Sequence, residues 1–202
     1  MDMIFSVLDA TLRVSTPLVL AALAGLFSER SGVVDLALEG KMLAAAFAAA
    51  CVAYLAQSPW AGLAAGMAAG VMVALLHGVV SITYNGNQLI SGVAINMMVS
   101  GVTPVLALAW FQQGGRTPTL SDEARFTAVD LPFADTIAHS PVLKTFFGHN
   151  ILVYIALAVI FVVSWVVYKS RFGLRLRAVG ENPHAADAAG ISVKGVRFIA
   201  QA

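Results

Sequence analysis

Two carboxylates four residues apart, Asp35 and Glu39, stand among Val33, Val34, Leu36, Ala37 and Leu38. If residues 33–40 were helical, that spacing would set both on one face. Carboxylates in such apolar company can bind a cation, relay protons or hold a solute's hydroxyls; the plainer reading is pairing with Arg30 or Lys41 at the rim of a bundle. Gln88 and Asn96 are eight residues apart, on roughly the same helix face two turns later. In lipid such amides either bond to another helix or face a polar route, where they act as uncharged donors and acceptors for a neutral solute. Together Asp35, Glu39, Gln88 and Asn96 are the candidate pathway residues, with Asn85, Gly86 and Asn87 reading as a turn.

A third signal lies near the end of the chain. Gly180, Glu181, Asn182 and Pro183 lead into His184, Ala185, Ala186, Asp187, Ala188 and Ala189, closed by Gly190. Asn as N-cap, Pro at the first helical position, strong helix formers and a terminal Gly predict a short two-turn helix. Its alanine faces offer a smooth, shallow surface to another protein. Enzyme chemistry finds no comparable support. His77, His139, His149 and His184 form no close pair at metal-ligand spacing, and the nucleophile-elbow, zinc-protease and P-loop motifs are absent. Cys51 has no partner for a disulfide or a Cys-ligated metal site and reads as a small core residue. No catalytic residue, cofactor or metal is expected.

The elements that must position these residues follow from hydropathy. Of the 202 residues 59% are apolar and 11% charged, and the mean hydropathy is +0.82, which excludes a soluble domain. Twelve basic against eleven acidic side chains leave no excess for nucleic acid. Crossing about 30 Å of hydrocarbon takes roughly 20 helical residues. Residues 60–84, 89–111 and 151–168 meet that length without Asp, Glu, Lys or Arg, while 14–27 and 42–56 fall short and must borrow from the polar stretch 28–41. The expected fold is therefore all-α: a polytopic bundle of about five membrane helices, with a break near the second. In the third, Gly62, Gly66 and Gly70 recur every fourth residue beside Ala61, Ala65 and Ala69, a packing face for a neighbouring helix or for a second copy.

Charge sets the expected orientation. The loop 169–197 holds six basic residues (Lys169, Arg171, Arg175, Arg177, Lys194, Arg197) against Glu181 and Asp187, which places it in the cytoplasm. The segment 112–150 carries Arg116, Arg125 and Lys144 against Asp122, Glu123, Asp130 and Asp135, so it is expected outside. The amino terminus then lies outside, with no signal peptide evident. Tyr54, Trp60 and Trp110 fall at outer ends and Tyr84, Trp165 and Tyr168 at inner ends, where aromatic belts form. Residues 198–202 read as the first turn of a sixth apolar block, so the chain is expected to be a carboxy-terminally truncated single domain over 1–202.

Three ordered runs carry a resemblance. Residues 28–43 (SERSGVVDLALEGKML), 87–96 (NQLISGVAIN) and 173–183 (GLRLRAVGENP) continuing through Ala189, Gly190 and Ile191 resemble permease subunits of bacterial ABC importers. That broad family serves branched-chain amino acids, simple sugars and nucleosides, and the first two runs look most like its nucleoside and simple-sugar branch. The resemblance implies an inner-membrane permease subunit translocating a small polar solute, a nucleoside or else a simple sugar. It also implies that the short helix docks on cytoplasmic ATP-binding subunits as a coupling helix, through Gly180, Glu181, Asn182, Pro183, Ala185, Ala186 and Gly190. The ATPase would supply the missing P-loop, a second permease subunit would complete the bundle, and an extracytoplasmic binding protein would dock on 112–150. Where the branch more often shows Asn, this chain has Asp35. The alternative from another class is an ion-coupled secondary carrier with Asp35 and Glu39 as its coupling site.

Overall fold

The computed structural model describes residues 2–127 and 149–202. The described residues form helices and no β-sheet: α1 (Asp2–Arg30), α2 (Leu38–Ala56), α3 (Pro59–Gly78), α4 (Gln88–Phe111), α5 (Ile151–Lys169), α6 (Arg171–Glu181), α7 (Pro183–Ala188) and α8 (Val193–Gln201). Five are long and apolar enough to cross a membrane, the third continued through a π-helical turn, Val79–Thr83. Phe161, Trp165, Met67 and Met72 are each more than 60% exposed or at it, a surface stable only against lipid. The segment expected outside is described only at its flanks; 128–148 lie outside the described residues.

The two short apolar blocks reach full length in different ways. The first extends mainly backwards, as α1 runs from Asp2 through Asp9 and Arg13 to Arg30. The second gains only Leu38, Glu39, Gly40 and Lys41. Between them residues 31–37 are not helical, so the premise that Asp35 and Glu39 share a helix face fails. The break begins at Gly32, whose φ of +81° ends α1. Val33 N–H donates to Ser28 O and Gly32 N–H to Glu29 O, the paired bonds of a Schellman stop. Beyond it Ser31, Val33, Asp35 and Ala37 are buried while Gly32, Val34 and Leu36 are exposed, the period-two alternation of extended chain.

Two helix groups flank a cleft. Helices α2, α3 and α4 pack together, α1 packs on α5, and α1 barely touches α2. The intervening apolar cleft of about 850 Å³ runs between α1 and the α2–α3 pair, and is floored by Ile199, Ala200, Gln201 and Ala202. At one end α6, α7 and α8 join the groups, sharing a core of Leu176, Val179, Ala186, Val196 and Ala200 onto which Phe27 and Phe172 pack. At the other end Ser121 donates to Gln57 (2.6 Å), Trp60 meets Phe126 edge-on (5.1 Å), and Asn150 donates to Phe126 O (3.0 Å).

The glycine stripe of α3 packs inside the chain, against Ala45, Ala49 and Ala53 of α2. A Cβ at position 62 would lie 2.7 Å from Ala53 Cβ and 2.8 Å from Ala49 O, whereas one at Gly101 meets nothing within 4 Å. Gly62→Leu should therefore cost about 1–3 kcal/mol by overpacking. The expected readout is a lower unfolding midpoint in detergent, with Gly101→Ala unchanged.

Candidate functional site

An extended segment between two membrane spans has no helical ladder to pair its backbone N–H and C=O groups, and those that are buried must find other partners. Residues 31–37 find them in side chains. Ser28 donates to Val33 O (3.0 Å), Val34 N–H donates to Gln88 Oε1 (2.8 Å), and Ala37 N–H donates to Asp35 Oδ1 (3.0 Å). Asn96 then clamps both sides of the junction with α2. Its Nδ2 donates to Leu36 O (2.8 Å) and its Oδ1 accepts from Gly40 N–H (2.7 Å). Ala37, at the N-cap position of α2, has no side chain able to cap. Asn96 fills that role from another helix, satisfying one of the orphan N–H groups of the first turn.

The four candidate pathway residues thus separate into different surroundings. Gln88 and Asn96 share a face of α4 and both hold the break. Asp35 is buried, its side chain 2% exposed, and pairs with Lys41 Nζ at 2.5 Å. Glu39 is exposed on the first turn of α2. One turn further along the same faces of α2 and α4, Leu43, Phe47, Ser100, Thr103 and Arg116 line a second cleft of about 480 Å³. Its hydroxyls and guanidinium offer hydrogen bonds beside the stacked rings of Phe47 and Trp110, 6.1 Å apart.

Behind Asp35 stands a buried polar group that sequence reasoning assigned no role. His77 is fully buried in α3, with Nε2 3.9 Å from Asp35 Oδ1 and Nδ1 3.0 Å from Ser91 Oγ of α4. Ser81, one turn on, donates to His77 O (2.5 Å) where the π-helical turn begins. A lone titratable side chain in an otherwise uncharged span, with Ser four residues later, was the available signal. Among the described residues no group of three or more His, Cys, Asp or Glu is placed to hold a metal ion.

The short helix α7, on the side expected to face the cytoplasm, forms as its residues dictate. Asn182 caps α7 by accepting from Ala185 N–H (3.0 Å), Pro183 opens it, and Gly190 at φ +79° ends it. Ile191 N–H donates to Ala186 O and Gly190 N–H to Asp187 O, a second Schellman stop. Ala186 is buried in the core of the inner unit, while Glu181, Asn182, His184, Ala185 and Asp187 are exposed. Gly180 lies against the end of α1, where any Cβ would overlap Arg30 O. The inner unit is thereby seated on the break, a contact that Arg197 Nε reinforces by donating to Ser31 O (3.1 Å).

Truncating the clamp leaves the N–H of buried Gly40 without a partner, and a buried unsatisfied group costs about 1–3 kcal/mol. Asn96→Ala should lose stability in that range, measured by reversible unfolding in mixed micelles. Gln88→Ala should lose less, because Val34 is exposed and water can replace the amide.

Residues 7–202 match the family described as the branched-chain amino acid transport system permease component. The chain is 37% identical over 201 residues to the guanosine ABC transporter permease protein NupQ of Bacillus subtilis (strain 168), covering 96% of this chain and 61% of that protein. It is 33% identical to the nucleoside ABC transporter permease protein NupC of Lactococcus lactis subsp. cremoris, covering 91% and 58%. It is also 33% identical to the putative glucose ABC transporter permease protein TsgC13 of Haloferax volcanii, covering 96% and 57%. The chain thus spans about three fifths of the length of these relatives. No solved structure matches it. Five spans, a break held by amides from α4 and a capped inner helix are features of a multi-pass membrane protein, and this chain belongs to the family of branched-chain amino acid transport system permease components.

Proposed function

We propose that the chain is part of the membrane-spanning permease subunit of an ATP-driven importer, and that its solute is a nucleoside. The observation that carries this reading is α7, a helix of six residues too short to cross a membrane yet capped at both ends, and held between α6 and α8, whose Gly180 and Arg197 contact the break before α2. A rigid small-residue helix joined to the start of a membrane span can pass a push from a partner into the bundle. Gly180, Glu181, Asn182, Pro183, Ala185, Ala186 and Gly190 shape it, and ATP-binding subunits dock on its exposed side. Hydrolysis then belongs to those subunits and not to this chain.

The route for the solute follows the facing surfaces of α2 and α4. Ser100, Thr103 and Arg116 offer hydrogen bonds and Phe47 an aromatic face, a combination suited to the hydroxyls and base of a nucleoside. Glu39 and Asn96 lie at the inner continuation of the same faces, with Gln88 and Asp35 framing the break. The guanosine and nucleoside permeases among the relatives support this choice. The glucose permease favours a simple sugar as the second reading. The basic inner loop supports an amino terminus outside the bacterial plasma membrane. A second permease subunit completes the bundle within the lipid, and an extracytoplasmic binding protein docks on 112–150.

Two measurements test the proposal. Replacing residues 181–190 by a flexible linker should remove the ATPase from the purified complex while leaving membrane insertion intact, and retained ATPase contradicts the docking role. Uptake of labelled guanosine into cells should be competed by excess unlabelled nucleosides and not by glucose; the reverse pattern selects the sugar reading.

A further inference from the structure

Besides the contact of Gly180 in α6 with Arg30 O, the inner unit meets the bundle along α8. Along α8, Arg197 reaches Ser31 O, Phe198 lies against Gly78, and the carbonyl of Gln201 accepts from Lys41 Nζ at 3.4 Å. A Cβ on Gly78 would lie 2.9 Å from the Phe198 ring and 2.8 Å from Gln201 Oε1, so α8 and α3 meet closely at the turn that carries His77. Lys41 also binds Asp35 Oδ2, and Asp35 Oδ1 holds Ala37 N–H. A single ammonium therefore joins α8, the extended segment and the first turn of α2.

Burying that ion pair needs a reason other than stability. Replacing a buried pair by apolar side chains of similar volume is often neutral or stabilising, and the best-attested use of such pairs is to fix a register or a switch. An ammonium also has three donors and no preferred single partner, so it can exchange Gln201 O for another acceptor while keeping Asp35.

We propose that Lys41, held by Asp35, is the positioning residue that transmits displacement of the inner helical unit into α2. When α7 is pushed, α8 moves with it through their shared core. The bond from Gln201 O to Lys41 pulls the start of α2, and Asn96 carries the shift to α4. This rests on the permease reading above and adds to it the side chain through which the stroke passes.

The test uses the permease with its ATPase in native membranes, following co-purification, ATP hydrolysis and solute uptake together. Lys41→Met should retain the ATPase and its hydrolysis but lose about tenfold in uptake per ATP, the scale of a typical coupling energy. Lys41→Arg, which keeps charge and donors, should recover much of it. The Asp35→Asn/Lys41→Met double variant guards against misfolding, since it removes both charges while the amide oxygen still accepts from Ala37 N–H; it should fold as well as the parent and remain uncoupled. Wild-type uptake per ATP in the double variant, or uptake and hydrolysis falling in parallel in Lys41→Met, overturns the proposal. Coupling unchanged while the ATPase stays bound rejects the role of Lys41 alone. An ATPase that never binds the parent chain rejects the permease reading, and the role of Lys41 with it.

Discussion

The backbone polar groups of residues 31–37, between two membrane spans, lack the internal partners a helix supplies, and much of the rest of the molecule is arranged around that demand. A helix would have satisfied them internally. Because the chain is extended there, its partners come from Ser28 at the end of α1, from Asp35 within the segment, and from Gln88 and Asn96 on α4. The break thus binds α1, α2 and α4 to one another at a point where α1 and α2 otherwise barely meet. The side chains that hold it consequently cannot be exchanged for apolar ones as freely as those on the lipid-facing surfaces.

The same segment is the seat of the inner unit. Gly180 closes on Arg30 O, Arg197 donates to Ser31 O, and Lys41 donates to Gln201 O, so three independent contacts join helices α6 and α8 to the break and its flanks. Helix α7 hangs from that unit by Ala186 and presents its remaining faces outward. Local chemistry made for stability, two Schellman stops and an Asn–Pro cap, produces a rigid projection whose root lies at the most constrained point of the bundle. In the permease proposed above that rigidity has a use: a soft link would absorb a push before it reached α2.

Much of this was legible in the residues. Apolar run length gave the spans, and the shortness of the two flanking blocks marked the break before α2. Asn182, Pro183 and Gly190 marked the inner helix, since caps act within a few residues of where they are written. Of the two readings of this stretch, a helix that sets Asp35 and Glu39 on one face fails and the break holds. Gly32 at positive φ stops α1 early, Ala37 cannot cap, and α2 starts only at Leu38, so the two carboxylates separate into a buried ion pair and an exposed side chain. Pairing with Lys41, the plainer reading, holds for Asp35, but the contact of Lys41 with Gln201 and the partners of His77 escaped notice for another reason. Both depend on residues of other helices, which periodicity along one helix does not register. The amides of Gln88 and Asn96 were noticed as polar groups in an apolar helix, but which backbone they would hold became visible only with α2 and α4 packed together.

The central claim is that the segment before α2 is extended and held by side chains of α4. Amide hydrogen exchange across residues 28–41, in the protein reconstituted into lipid, tests it most directly. The account predicts slow exchange at Gly40 that becomes fast when Asn96 is replaced by alanine, together with faster exchange at Leu36, whose N–H has no hydrogen-bond acceptor among the described residues. Uniform protection from residue 28 to 41, unaffected by the Asn96 replacement, would mean a continuous helix and would contradict it.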